Sequence, residues 1–161
     1  LGQYQGARVL DTVFLHPQNA RTSAEVVDAI MTADIVVCGP GDLYTTLLPV
    51  LIVPEITKAM TETKAKRVFI VNVANKPFET KNYAVSDFIH AVEKHLNGFP
   101  FDTVIVNNNK TIPIPKEYTY TYVLCDTENI PSSLHIIKAD IIDEQFPLYH
   151  DSDKLAKVLI Q

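Results

Sequence analysis

The short apolar run Ile35-Val36-Val37-Cys38 leads directly into the turn Gly39-Pro40-Gly41. An apolar run without polar alternation is typical of a parallel strand that helices cover on both faces. Glycine and proline end such a strand, and open parallel sheets bind their ligands outside the carboxyl ends of their strands. This junction therefore predicts a layered α/β protein with a ligand site built around the turn.

The rest of the chain alternates helical and strand patterns, which indicates βαβ crossovers. We predict a three-layer Rossmann-like α/β fold, with a mostly parallel sheet that carries helices on both faces and residues 1–161 as a single domain. A tail in which tyrosines and threonines alternate predicts one more strand. The predicted strands are Ile35–Cys38, Val68–Val73, Thr103–Val106 and the stretch from Tyr118 to Tyr122, and the predicted helices after the turn are Glu55–Lys64, Val85–Leu96 and Asp153–Ile160.

The first helix has a start signal in Thr22-Ser23-Ala24-Glu25, a spacing typical of a capping box. Its apolar residues recur at helical spacing and predict one inward face, made of Val26, Val27, Ile30 and Met31. Asp151 or Ser152 is expected to cap the last helix.

Composition excludes several classes of protein. The net charge of −5 argues against a broad nucleic-acid surface, and no apolar run is long enough to span a bilayer. The two cysteines, Cys38 and Cys125, each end an apolar run, so we expect small buried thiols in a reducing compartment. No secretory signal is visible, although the sequence begins with Leu1 rather than Met.

The loop after the first strand is the leading ligand-site prediction. Glycines let a backbone approach a ligand closely, and amides at a helix start favour an anion. The hydroxyls of Tyr44, Thr45 and Thr46 are further donors. The alternative is an ordinary tight strand-to-helix turn in which Asp42 is the N-cap.

Two later loops and one histidine add weaker signals. The segment Asn72–Tyr83 follows the second strand and offers Asn72, Asn75 and Lys76 as polar contacts, or it is simply a solvated loop. Asn107–Lys110 fits a local turn better than a binding loop. His150 is the histidine we single out, and the sequence holds no zinc spacing, catalytic triad order or P-loop, so we predict no metal site.

Three segments resemble one known family. Ala33–Pro49 looks like the signature "AD-apolar-GPGSLYTS-apolar-P", Asn72–Asp87 is similar to "N-x-x-TQPGET-x-x-Y-x-x-x-D", and Tyr149–Ala156 resembles "RHD-x-x-KLA". These are motifs of the bacterial YvcK-type gluconeogenesis factors, which belong with the 2-phospho-L-lactate transferases in a CofD-like superfamily.

The resemblance implies a cytoplasmic regulatory protein that binds a nucleotide-linked sugar, UDP-N-acetylglucosamine in particular, with a role in gluconeogenic growth, cell shape and wall synthesis. It does not imply catalysis for this branch. The transferase branch instead moves a phospholactyl group from a guanosine diphosphate carrier to a deazaflavin, with a divalent metal such as magnesium. A degenerate structural module is the third possibility, and we expect a homo-oligomer.

The resemblance and the three loops together give the predicted ligand contacts: Gly39, Pro40, Gly41, Asp42, Leu43, Tyr44, Thr45, Asn72, Asn75, Lys76, Tyr118, Tyr149 and His150. The family's Ser after the turn is Asp42 here. Three alternatives follow: Asp42 caps a helix, it holds a cation, or it weakens phosphate binding. Phe78 replaces a glycine, and Tyr149 replaces an arginine that could hold a phosphate. The family's amino-terminal Gly-rich strand, loop and helix have no counterpart, so the chain is expected to be the carboxy-terminal part of that fold.

Overall fold

A computed structural model describes residues 10–160 of the chain. Its main sheet has four parallel strands in the order β1-β2-β4-β6, and a separate antiparallel pair joins β3 to β5. The strands are β1 Ile35–Cys38, β2 Lys66–Ile70, β3 Ala74–Asn75, β4 Thr103–Asn107, β5 Thr121–Tyr122 and β6 His135–Ala139.

Five α-helices, one π-helical segment and one 3-10 turn connect these strands within residues 10–160. The α-helices are α1 Ala24–Thr32, α2 Leu48–Leu51, α3 Pro54–Glu62, α4 Val85–Leu96 and α5 Ser152–Leu159, with a π-helical segment at Leu43–Leu47 and a 3-10 turn at Thr127–Asn129. The π-helical segment begins directly after the predicted ligand turn and leads into α2.

Alternate residues of the central strands point to two separate apolar layers. Phe69 and Val104 pack with α3 and α4 on one face of the sheet, whereas Ile70 and Ile105 pack with α5 on the other. This period of two is what a strand that is covered on both faces requires. The predicted α/β fold with a mostly parallel sheet and helices on both faces is confirmed.

The prediction that β1 is buried on both faces is wrong. Ile35 and Val37 are 38% and 40% exposed, because β1 is an edge strand of the sheet and none of its residues belongs to the apolar layer that packs with α5. Only Val36 and Cys38 pack against the core from this strand. The apolar run correctly predicted a strand, but it predicted more burial for the side chains of Ile35 and Val37 than the structure shows.

Helix α1 also departs from its prediction. It begins at Ala24 with Ser23 as N-cap, and neither the expected Thr22 cap nor any other side-chain cap bond forms. No residue of α1 is fully buried, and Val26 and Met31 are 39% and 40% exposed, so its apolar face covers the core only in part. The capping box prediction is therefore wrong.

Other boundaries follow the sequence closely. Helix α4 spans the predicted residues and ends at Asn97, which adopts the left-handed conformation with φ 58°. Asp151 caps α5 by accepting a hydrogen bond from the Lys154 amide at 2.9 Å. Strand β6, however, was not predicted, and the tyrosine-threonine tail forms only the two residues of β5.

Both cysteines are free and half-buried, so the expectation of fully buried thiols holds only in part. Burial raises the pKa of the Cys38 thiol to about 12, which keeps it protonated. Among the described residues no single helix is long and apolar enough to cross a bilayer, although the pair Leu43–Leu51 and Pro54–Glu62, bent by 76°, reaches that length and composition when taken together. Its large apolar side chains lie mainly in the core.

The turn after β1 requires glycine at its first position, which gives a test of the fold. Gly39 has φ +94°, and a Cβ there would lie 2.8 Å from the Ile70 carbonyl oxygen. Gly39→Ala should lower the free energy of unfolding by about 2 kcal/mol or more, measured by urea titration. Gly98→Ala is the control, because Gly98 has φ +151° but open space around it. Equal losses in the two variants would contradict the close approach.

Candidate functional site

A cavity of about 720 Å³ lies at the carboxyl ends of β1 and β2 and is closed on one side by α5. This is the edge of the sheet at which the sequence placed the ligand site. The cavity is lined by Pro40, Gly41, Asp42, Thr46, Asn72, Ala74, Lys76, Tyr120, Leu148, Tyr149, His150, Ser152, Leu155, Ala156 and Leu159.

The structure brings some predicted ligand contacts to this cavity and leaves others elsewhere. The predicted residues that line it are Pro40, Gly41, Asp42, Asn72, Lys76, Tyr149 and His150. The predicted residues that are not among its lining are Gly39, Leu43, Tyr44, Thr45, Asn75 and Tyr118. Sequence reasoning thus located the cavity, but it did not distinguish the residues that face it from those that support it.

The two loops that form the polar end of the cavity are bonded to each other. The Gly41 amide donates to the Asn72 side-chain oxygen at 3.2 Å, which joins the turn after β1 to the start of the loop after β2. A Cβ on Gly41 would meet only the side chains of Thr46 and Leu47, at 3.3 and 3.0 Å. Gly41 therefore keeps the turn close to its neighbours without needing an unusual backbone conformation.

Glu79 also connects these loops. Its Oε1 atom accepts hydrogen bonds from the amides of Tyr44 and Thr45, at 2.7 and 3.0 Å, and its side chain is nearly fully buried. These are the amides that a helix start offers to an anion. An internal carboxylate already holds them, so they are not free donors for a ligand.

Burial raises the pKa of Glu79, because desolvation disfavours the charged carboxylate. The amide bond from Tyr44 opposes that shift, whereas the nearby charge of Asp42 adds to it. The pKa of Glu79 is raised overall, because the hydrogen bonds from the amides offset only part of the desolvation cost of the ionised carboxylate.

Tyr44 faces the core rather than the cavity. It is 4% exposed, and its hydroxyl lies 2.9 Å from the Tyr83 hydroxyl. The His95 ring packs edge-on against it, with centroids 6.0 Å apart. Burial, followed by the hydrogen bond with Tyr83, raises the pKa of Tyr44 well above its usual value. The Tyr44 hydroxyl therefore stabilises the fold beneath the turn.

Asp42 and Lys76 form an ion pair at the polar end of the cavity. Asp42 occupies the N-cap position of the π-helical segment, but its side chain makes no capping bond there. Of the three roles open to Asp42 from the sequence, the structure shows that of holding a cation, the Lys76 ammonium. Burial lowers the pKa of Lys76, but the hydrogen bond and charge of Asp42 outweigh it and leave that pKa raised.

His150 lines the cavity beside the start of α5. Its Nε2 lies 3.2 Å from the Val71 carbonyl oxygen. A carbonyl oxygen can only accept, so Nε2 carries the proton, and in the neutral ring Nδ1 is left as an acceptor. Burial lowers the pKa of His150, although its bond to Val71 opposes the shift. The neutral imidazole can therefore accept a hydrogen bond from a ligand donor.

The remaining predicted polar residues make contacts within the fold, although the buried Oδ1 atom of Asn75 has no hydrogen-bond partner among the described residues. The Asn75 side chain donates to the Tyr83 carbonyl oxygen at 2.8 Å, and Asn75 is 2% exposed. Asn107, from the third predicted loop, accepts from the Ile141 amide at 3.2 Å and bonds Asn109 locally. The ordinary-turn interpretation of that loop is favoured by these contacts.

Several lining residues were missed by the sequence analysis. Tyr120 lines the cavity, whereas Tyr118 packs edge-on against Tyr120 with centroids 6.5 Å apart. Leu155 and Leu159 lie in the last predicted helix but were not predicted as site residues, although they form an apolar wall of the cavity. Alternation of the tyrosines was an available signal for Tyr120, since neighbours two apart share one face of a strand.

The transferase branch of the resembling family implies a divalent metal, and the lining that the structure describes offers it a single carboxylate, that of Asp42. Within residues 10–160 no three His, Cys, Asp or Glu side chains converge as metal ligands. A magnesium ion bound with substrate phosphates still needs one or two carboxylates. Asp42 is the carboxylate that lines the cavity, and it is bound to Lys76.

Glu79 can be tested by comparing two substitutions. Glu79→Ala removes the acceptor from the buried Tyr44 amide and the part-buried Thr45 amide and should cost about 3 kcal/mol of unfolding free energy. Glu79→Gln keeps an acceptor oxygen and should cost less than about 1 kcal/mol at pH 7. Urea titrations of both variants measure this difference, and equal losses would contradict the role given to Glu79.

The raised pKa of Glu79 adds a pH test. Folding favours its protonated form, so this stabilisation is complete below the usual pKa of 4.5 and is lost as pH rises through the folded pKa. Glu79→Gln lacks that loss, so its unfolding free energy relative to the unsubstituted chain should rise between pH 4.5 and pH 7. A pH-independent difference would show that the Glu79 pKa is not raised.

Comparisons with known proteins agree with this fold. A gluconeogenesis factor of Bacillus subtilis is 33% identical over 92% of this chain and 49% of its own length. A Clostridium acetobutylicum protein with the gluconeogenesis factor name is 35% identical over 94% of this chain and 35% of its own length. The chain thus spans about a third to a half of the curated relatives that it matches.

A crystal structure of protein BH3568 from Bacillus halodurans superimposes with a TM-score of 0.87 at 29% sequence identity. The match covers 96% of this chain and 52% of that one. The family model described as 2-phospho-L-lactate transferase CofD matches residues 2–161. On the strength of that match the chain belongs to the CofD family.

Proposed function

We propose that the cavity binds a nucleotide-linked sugar of the UDP-N-acetylglucosamine class, and that the chain serves regulation rather than catalysis. The observation that carries this proposal is a single cavity with one polar end and one apolar wall. Its polar end holds Asp42, Lys76 and Asn72, and its apolar wall includes Leu155 and Leu159. A nucleotide-sugar has the same division, with hydroxyls and phosphates joined to a flat base.

The size and lining of the cavity support a ligand of this class. Its volume of about 720 Å³ falls inside the range usual for small-molecule sites, about 300–1,000 Å³. Tyr120 offers an aromatic ring on which a base could stack, and His150 offers an acceptor for a base or sugar donor. Lys76, which lines the cavity, offers a cation for a diphosphate.

The proposed biological role comes from the relatives. They are named gluconeogenesis factors, so we propose that this chain is part of a protein that adjusts growth on gluconeogenic carbon sources. The motif resemblance is the basis for proposing a further role in cell shape and wall metabolism. We also propose a cytoplasmic location and a homo-oligomeric protein. The free thiols Cys38 and Cys125 support the location, since a reducing compartment keeps thiols unpaired.

A phospholactyl-transferase-like enzyme is the second candidate function, and the name of the matching family model is the observation that favours it. That activity predicts product formation from a guanosine diphosphate-linked donor and a deazaflavin with magnesium present. Turnover in that assay, with no binding of UDP-N-acetylglucosamine, would replace the regulatory proposal with the enzymatic one.

Titration calorimetry with UDP-N-acetylglucosamine tests the proposed ligand. Lys76→Met should weaken binding at least about tenfold, because it removes the cation and leaves Asp42 to repel the diphosphate. Lys81→Met is a matched control from the same loop, since Lys81 is not among the residues that line this cavity. The absence of binding at millimolar ligand would sink the proposed function and favour a structural module. Equal weakening in both variants would remove Lys76 from the site.

A further inference from the structure

The charge of the cavity depends on one ion pair. Among the residues that the structure describes, Lys76 is the only Lys or Arg that lines the cavity, and Asp42 is the only carboxylate. These two side chains are bound to each other, so the cationic charge that an anionic ligand needs is already neutralised. A ligand phosphate must therefore compete with Asp42 for Lys76.

Asp42 can pair with Lys76 because Glu79 accepts the hydrogen bonds from the amides at the start of the π-helical segment. An aspartate at an N-cap usually accepts hydrogen bonds from the amides of the first turn with its carboxylate. Here the amides of Tyr44 and Thr45 donate to Glu79 instead, and Asp42 makes no capping bond. The carboxylate of Asp42 is thus turned away from the backbone and towards the Lys76 ammonium.

The pair is placed where it can open. The side chains of Asp42 and Lys76 are 28% and 39% exposed, so both charges remain in contact with solvent. Ion pairs that are exposed to this degree contribute little to stability, and separating them costs little. Once opened, however, Asp42 stays attached to the rim of the cavity and keeps repelling any anion that replaces it on Lys76.

We propose that Asp42 is a specificity-determining residue that competes with anionic ligands for Lys76. The more negative charge a ligand carries on its phosphates, the more strongly Asp42 excludes it. This inference rests on the proposed function of the same cavity. It selects phosphodiester-linked ligands, in which each phosphate carries a single charge, over ligands that end in a free phosphate. A terminal phosphate carries about −1.5 to −2 at neutral pH, because its second pKa is near 6.

Asp42→Asn is the direct test, because it removes the charge and nearly preserves the shape. Calorimetry would use pyrophosphate, UDP, UDP-N-acetylglucosamine and uridine as probes of decreasing charge. We expect affinity for pyrophosphate and UDP to rise about tenfold or more, affinity for UDP-N-acetylglucosamine to rise less, and affinity for uridine to stay unchanged. No gain for pyrophosphate, or the same gain for uridine, would overturn the proposal.

Two further variants keep the result specific. Asp28→Asn removes one negative charge from α1, away from the cavity, and should leave all four affinities unchanged. Adding Lys76→Met to Asp42→Asn should abolish the gain, because the cation that Asp42 masks is then absent. A gain with Asp28→Asn, or a gain that survives in the double variant, would show a general charge effect and overturn the proposal.

The outcomes separate this inference from the proposed function. If UDP-N-acetylglucosamine binds neither the unsubstituted chain nor Asp42→Asn, while pyrophosphate gains affinity in the variant, the nucleotide-sugar proposal fails and the competition by Asp42 stands. If UDP-N-acetylglucosamine binds and the substitution leaves every anion unchanged, the proposed function stands and the competition fails. Urea titration of Asp42→Asn confirms that the variant is folded.

Discussion

The arrangement of the site depends on one buried carboxylate. Glu79 lies between β3 and α4, yet its Oε1 atom holds the amides of Tyr44 and Thr45 from the segment after β1. Two loops that leave neighbouring parallel strands are thereby fixed to each other, and the polar end of the cavity has a defined shape. A buried ionised group is costly unless hydrogen bonds satisfy it, so the loops and the carboxylate stabilise one another.

What faces the cavity follows from that contact. Because Glu79 occupies the amides at the helix start, the backbone there no longer presents an anion-binding surface. Tyr44 turns into the core and pairs with Tyr83, and Asp42 turns outward to Lys76. The electrostatic character of the cavity is consequently set by side chains rather than by the backbone dipoles that the glycine-rich turn first indicated.

The sequence was informative where a local pattern decides the structure, and it failed where distant contacts decide it. The run before Gly39 marked both a strand and the edge of the cavity, but only the position of β1 at the end of the sheet explains why Val37 is 40% exposed. Glu79 was overlooked as a site residue because its partner Tyr44 lies 35 positions away. Leu155 has ordinary helical spacing, so nothing in the pattern separated a cavity wall from the core.

The departures from the family motifs become intelligible once their positions in space are known. Where the resembling signatures read GPGS and TQPGET, this chain has Asp42 in place of the serine and Lys76 in place of the glutamine. The two replacements introduce opposite charges, and those charges are paired with each other. Either change alone would alter the net charge of the cavity lining, whereas together they leave it unchanged. Glu79 and Thr80, which match the last two positions of TQPGET, are retained, so the loop that supports the pair keeps its anchor while the polar end of the cavity changes its chemistry.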